Sequence, residues 1–355
     1  MKLIVANVLL LSSFVLVAQN NVCFTVESNP NSSDAALSEF TKYIKVLDCF
    51  EIYAESGLSD AQVLHAAAIA AELLDNDEDG IIDDINIYNE LLANQALMPL
   101  FASEGSAVEI AFGDNYNGTG VSAVLYSQEV DPSNPGIWGM DATVEEIMHT
   151  INAVGQVNAY PAAFALAPNS SLMTTAMDIA RGGQFISIPN PYPSAAWYHY
   201  DDQTCDYECM AIEYMYWSTV SNMGLLDDSG ICAGIANEWE PCTPILFQNT
   251  DVLMYNLITD IQYKIPQIAP DGNYCITTNV MALNKTVSEL KVFPNPSTNL
   301  ITVDYGDSTS AVKIYNLFGE LVIDTPVNII SINQFKPGVY FLKSGNESTR
   351  FQVVR

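Results

Sequence analysis

Positive charge is what this sequence has least of: 12 Lys and Arg stand against 42 Asp and Glu in 355 residues, a formal charge of −30. So acidic a surface repels nucleic acid and anionic lipid, and favours solubility, cation binding or cationic partners. After the first residues, no stretch reaches the roughly 18 uncharged apolar residues that a spanning helix requires, so no transmembrane segment is expected in the mature chain. The chain also lacks a GxSxG elbow, a P-loop and a dinucleotide fingerprint set between a strand and a helix, which removes serine-hydrolase, nucleotide and nicotinamide readings. CxxC pairs are missing too, which argues against a zinc ribbon.

What is present begins with MKLIVANVLLLSSFVLVAQN. Lys2 precedes an apolar run through Val17 and the small Ala18, the build of a secretory signal peptide over residues 1–19. In the oxidising exterior such a leader implies, cysteines are more often bridged than free. Seven occur, so one is left over; Cys205, Cys209, Cys232 and Cys242 fall in one segment and are read as staples rather than metal ligands, with their pairing open.

Charge and pattern divide the rest. Residues 20–284 carry 36 acidic side chains against Lys42, Lys45, Arg181 and Lys264, while residues 285–355 carry seven basic and six acidic. The first region predicts a mainly helical α+β functional domain. Helices are expected over 34–50, 59–74, 84–98, 143–154, 171–181, 205–221 and 250–263, strands over 106–112 and 120–126, and linkers around 24–33 and 276–290. The second region holds short alternating runs (LITVDY, AVKIYNL, GELVID, GVYFLKS, RFQVVR) separated by Gly, Asn, Asp and Pro turns, which predicts a small antiparallel β-sandwich.

The order of parts in that tail is specific: VFPNPSTNLITV at 292–303, VKIYNLFGELV at 312–322, INQFKPGVYFLK at 332–343 and a basic end. It resembles the type A sorting domain of substrates of the Bacteroidetes type IX secretion system. The resemblance implies recognition by that machinery, export through periplasm and outer membrane, and a tail that is then removed or exchanged for a surface anchor.

Two motifs in the first region carry chemistry. Between two expected helices lies DNDEDGIIDD, with Asp75, Asp77 and Asp79 at positions one, three and five of an EF-hand-like loop, Gly80 at six, the Ile81 carbonyl at seven and Asp83 at nine. Alternating oxygen ligands suit a hard cation, and crowding these carboxylates without a counter-ion is costly, so a structural calcium ion is expected. Asn86 stands at position twelve in place of the usual bidentate Glu, and no second such loop accompanies it, which argues against a regulatory switch.

The second motif is DATVEEIMHTINAVG, from Asp141, expected to be a helix opened by a Thr143-x-x-Glu146 capping box. Glu145 and His149 are four apart and Glu146 and His149 three apart, so all lie on neighbouring faces. The pattern is similar to a zincin helix, HExxH, with its first histidine changed. The resemblance puts Glu145 and His149 in the two zinc-ligand places and Glu146 in the place of the general base. A third ligand is sought in WYHYDDQTCDYECMAIEYMYW at 197–217, from Glu208, Glu213 or His199; Glu208 and the residues after it faintly resemble the downstream helix of gluzincins.

Other residues have blander readings. His65 belongs to the core or a helix surface. Arg181 pairs with an internal acid such as Asp178 or holds a substrate carboxylate. The aromatics Trp197, Tyr198, Tyr200, Tyr214, Tyr216 and Trp217 form a core edge or a carbohydrate platform. The reading is therefore a secreted metal-dependent hydrolase, a zincin-like peptidase with zinc and a structural calcium, acting on peptide. Its alternative is a non-catalytic, calcium-stabilised exported protein that binds glycan or protein or mediates adhesion.

Overall fold

The computed structural model describes residues 24–275, 290–304, 311–317, 319–344 and 347–355; the expected leader at 1–19 and most of the expected linker at 276–290 lie outside them. The chain divides into two compact units, 1–276 and 277–355. Together they make an α+β protein, with no described helix long and apolar enough to cross a membrane.

In the first unit the elements run β1 (Glu27–Ser28), β2 (Lys42–Val46), β3 (Phe50–Ala54), α1 (Asp60–Leu74), α2 (Ile85–Ala93), β4 (Leu97–Phe101), α3 (Ala107–Asn115) and β5 (Leu125–Tyr126). The helices α4 (Thr143–Thr150), α5 (Val157–Ala159), α6 (Pro161–Phe164), α7 (Leu172–Ala180), α8 (Tyr207–Met223), α9 (Ser229–Ile235), α10 (Pro244–Thr250) and α11 (Val252–Ile258) follow. A π-helical stretch, Ile151–Gln156, continues α4.

A five-stranded mixed sheet, ordered β1-β2-β3-β4-β5, was not expected from the sequence. The helix expected over 34–50 gives way to the β2–β3 hairpin, whose turn holds Leu47 and Asp48 at φ 45° and 60°. Both segments are buried on two faces, with Ile44, Val46, Phe50, Ile52 and Ala54 turned to one apolar layer and Tyr43 and Tyr53 to the other, which a strand satisfies and a helix does not. The expected 84–98 helix stops at Ala93, and LMPLF beyond it becomes β4, buried at every position, the apolar run that periodicity cannot separate from helix. The strand expected at 106–112 is instead α3, started by Ser106, whose hydroxyl accepts the Glu109 N–H. Within 120–126 only Leu125–Tyr126 pairs as strand.

The sheet has an apolar layer on each face. Ile44, Val46, Ile52, Ala54, Met98 and Leu100 join the main core with α1, α4, α7 and α8, while Tyr43, Tyr53, Leu97 and Phe101 pack on Phe40 and Phe112. α1 is the centre of the main core. Ser59 and Gln62 cap it reciprocally, and from His65 to Leu74 every side chain is buried, an Ala-rich surface that lets its neighbours approach closely. Its one buried carboxylate, Glu72, accepts the N–H groups of Asp271 (2.6 Å), Gly272 (3.2 Å) and Tyr274 (2.9 Å), so the end of the unit is strapped across α1. Disulfides join Cys205 to Cys209 and Cys232 to Cys242; Cys275 is also bridged, and among the described residues Cys49 is a buried free thiol.

The second unit holds β6 (Lys291–Phe293), β7 (Leu300–Asp304), β8 (Val312–Tyr315), β9 (Leu321–Thr325), β10 (Ile329–Ser331), β11 (Gly338–Ser344) and β12 (Glu347–Val353). They form two antiparallel sheets, β10-β7-β6 and β12-β11-β8-β9, sharing a core that includes Ile301, Val303, Ile314, Ile330, Leu342 and Phe351. Alternating burial along β7 and β8 shows why these runs read as strands.

Candidate metal centre

α4 is placed by a buried carboxylate–imidazole hydrogen bond rather than by the expected capping box. Ala142 is the N-cap and offers no side chain; Thr143 lies inside the helix and donates its hydroxyl to Asp141 at 2.6 Å. Asp141 also accepts the N–H groups of Asp131 (3.0 Å) and Gly136 (2.8 Å) and meets His65 Nε2 at 3.0 Å. Burial pushes the Asp141 carboxyl up, but the His65 ring and these donors outweigh it and hold the group below its ordinary value. His65 thus ties the middle of α1 to the start of α4.

Just after His149 the backbone widens into the π stretch, a feature frequent beside functional sites. Within it, Gly155 lies against α2: a Cβ there would come within 2.9 Å of Ile87 Cγ2, so only glycine permits the approach. α8 lies across from α4, begun by Asp206, which accepts the Cys209 N–H, and ended by Gly224 at φ 78°.

Between these two helices the ring of His149 is buried. Its Nδ1 is 3.5 Å from Glu146 and its Nε2 3.6 Å from Glu213, and Tyr216 stands edge-on with its ring centre 5.7 Å away. Glu145, His149 and Glu213 each offer one ligand atom, all within 4.8 Å of one another. His149 Nε2 is buried without a hydrogen-bond partner among the described residues. Leaving such a nitrogen unsatisfied costs about 1–3 kcal/mol. An imidazole clustered with two carboxylates from separate helices is a donor set that a zinc ion fits.

The three groups interact strongly, and without a metal Glu145 and His149 hold protons. Burial, opposed by His149 and reinforced by Glu213 and Glu146, pushes the Glu145 carboxyl up to about 7. Burial pulls the His149 ring down, but Glu213 and Glu146 outweigh it and hold the ring well above its ordinary value. The Tyr216 and Tyr200 phenols lie beside these carboxylates, and burial together with the Glu145 and Glu213 charges pushes both phenols up. Neither tyrosine was placed here from the sequence, although Tyr216 stands three residues after Glu213 on one helix face.

Of the three residues considered for a third ligand, the fold brings one to the ring. Glu213 faces α4; Glu208, five residues earlier and so roughly 140° round the helix, is exposed at the N-terminal turn of α8. His199 lies elsewhere, with Nε2 2.9 Å from the Ala196 carbonyl oxygen and 3.9 Å from Glu240. Arg181 does not pair with Asp178, which accepts from Tyr207 (2.9 Å) and Gln184 (3.0 Å). Instead the buried guanidinium donates to the Phe185 carbonyl and stacks over Phe185 and Tyr192. Among the aromatics, Tyr198, Tyr214, Tyr216 and Trp217 are buried, with Tyr198 and Tyr214 packed on Trp239, which makes them core rather than a sugar platform.

The acidic loop sits between α1 and α2, and Asp75, Asp77 and Asp79 converge there to within 4.8 Å. Asp75 is buried and accepts Gly80 N–H (2.8 Å) and the Tyr274 hydroxyl (2.6 Å). Asp79 accepts Ile81 N–H, and Asp83 accepts Asn76 N–H, each at 2.8 Å. Glu78 and Gly80 have φ of 53° and 92°, the second a turn that suits glycine. Asn86 is part of α2 and donates to the Tyr160 hydroxyl at 3.0 Å.

Residues 291–354 match the family described as the secretion system C-terminal sorting domain. This places the chain among the substrates of the type IX secretion system, exported to the cell surface or released. No curated protein and no solved structure matches the chain.

Proposed function

We propose that this exported type IX secretion substrate is a zinc-dependent hydrolase, a peptidase of zincin-like character whose metal is held by Glu145 and His149 of α4 and Glu213 of α8. The observation that carries the reading is the buried His149 ring, whose Nε2 makes no hydrogen bond among the described residues and lies 3.6 Å from Glu213, with Glu145 in the same 4.8 Å cluster. Three protein ligands leave a position for water, the mark of a catalytic rather than a structural zinc. A zinc ion in such a set supplies a Lewis acid that lowers the pKa of bound water and polarises a carbonyl.

Glu146 has a place of its own. It contacts Nδ1, the nitrogen away from Glu213, where a carboxylate fixes the tautomer and raises the basicity of a ligating imidazole. The degenerate motif assigns it the proton of the attacking water. Glu146→Gln separates the roles: an orienting partner loses zinc affinity roughly 10–100-fold, while a base loses turnover with zinc retained.

In the same reading the Asp75–Asp83 loop holds a structural calcium, with Asp75, Asp77, Asp79, Asp83 and the Ile81 carbonyl as ligands, and the two sheets of the second unit form a small sandwich. Zinc content and peptide cleavage, measured on the mature protein beside His149→Ala and Glu213→Gln, test the proposal. Stoichiometric zinc and cleavage that both variants lose are expected. A metal-free, inactive protein would overturn the hydrolase and leave an exported, ion-braced binding module.

A further inference from the structure

Beside the cluster lies a cavity of about 320 Å³, at the small end of ligand pockets. Glu145 belongs both to this wall and to the metal cluster, so the cavity adjoins the proposed reaction centre. Trp138 and Met140 supply an apolar wall and are 37% and 56% exposed. Glu129 and Gln128 supply the polar side. Glu129 is half-buried, and one carboxylate oxygen accepts the Tyr126 N–H at 2.9 Å.

What the cavity lacks is a cation. Lys42, Lys45, Arg181 and Lys264 are the basic side chains between residues 20 and 284, and none of them lines it. Lys42 is held by Asp60, and Arg181 is buried against Phe185. The other acid on the wall, Asp141, is already committed to His65, Thr143 and backbone donors. Glu129 therefore faces the cavity with its carboxyl pushed up by burial and by the Glu146 and Glu104 charges, which the Tyr126 N–H offsets in part.

Resting on the peptidase reading, we propose that this cavity is the specificity pocket of the enzyme and takes a lysine or arginine side chain of a polypeptide substrate. The aliphatic stem lies along Trp138 and Met140, and the cationic end reaches Glu129, a division of labour that suits long basic side chains. The indole face adds cation–π attraction. One end of the pocket then holds the side chain while Glu145, at the other, brings the adjoining peptide bond to the metal.

The test uses two peptides identical except for Lys against norleucine, which keeps the stem and removes the charge. With zinc-loaded full-length protein, kcat/KM is expected to favour the Lys peptide about 10–100-fold, as a desolvated charge pair allows. Glu129→Gln, whose amide oxygen still accepts the Tyr126 N–H, should shrink that ratio to near one, and Trp138→Leu should reduce it in part. Equal rates for the two peptides, or a preference that survives Glu129→Gln, would overturn the proposal. Calorimetric titration of the same peptides into the metal-free protein keeps this separate from the reaction itself. Binding of Lys over norleucine that Glu129→Gln abolishes upholds the pocket even where no cleavage occurs, and equal binding rejects it.

Discussion

Glu145→Gln should shift stability in opposite directions with and without zinc. In the metal-free protein the ligand oxygens of Glu145 and Glu213 lie within 4.8 Å of each other. At an effective dielectric of 20, two unit charges at that distance repel by about 3 kcal/mol. His149 offsets part of this, yet the Glu145 carboxyl is still held up to about 7, so its ionised form carries a net penalty that begins above the ordinary carboxylate pKa and is complete above 7. An amide keeps the volume and removes the charge. At pH 8 and without metal, the variant should therefore be more stable by roughly 1–3 kcal/mol, a rise of about 2–4 °C per kcal/mol for a domain of this size. With zinc the sign reverses: wild type gains about 2.7 kcal/mol at 100 times Kd, and the variant, one ligand short, gains little. Differential scanning calorimetry with a zinc-selective chelator and with zinc, calcium held constant, measures both. A variant that melts below wild type in both conditions would refute the reasoning and mark the cluster as a plain structural ion pair.

Calcium should raise the melting temperature, and Asp79→Asn should weaken the effect without changing zinc content; titration followed by thermal melting reads this. Asp141→Asn should cost about 3–5 kcal/mol, because it leaves His65 without its buried partner, and urea unfolding measures the loss. Since the Asp141 carboxyl is held below its ordinary value, its contribution is present above the unfolded pKa of about 3.9 and disappears as pH falls through the folded value. Acid unfolding below pH 4 should then be shallower in Asp141→Asn than in wild type.

The sequence carried much of the site and less of the frame around it. α1, α7 and α8 were legible as continuous stretches of helix-forming sequence, and Ser59 with Gln62 marks the start of α1. The sheet of the first unit was not, since β2 and β3 are five residues each and β4 is apolar throughout, too short and too uniform for a period to declare itself. Glu145 and His149 share a helix, so their spacing alone placed them together. Glu213 could be separated from Glu208 only by knowing which face of α8 meets α4, a fact of tertiary packing. The role of His65 was hidden for the same reason, because its partner is 76 residues away.

The strap from Asp271 to Tyr274 has a mechanical consequence for a protein moved by its tail. A pull on the chain beyond Cys275 meets the bridged cysteine and then three amide hydrogen bonds to Glu72, all anchored in the helix at the heart of the core. The Tyr274–Asp75 bond ties the same strap to the acidic loop. A cation seated there would stiffen the point at which the chain leaves the core.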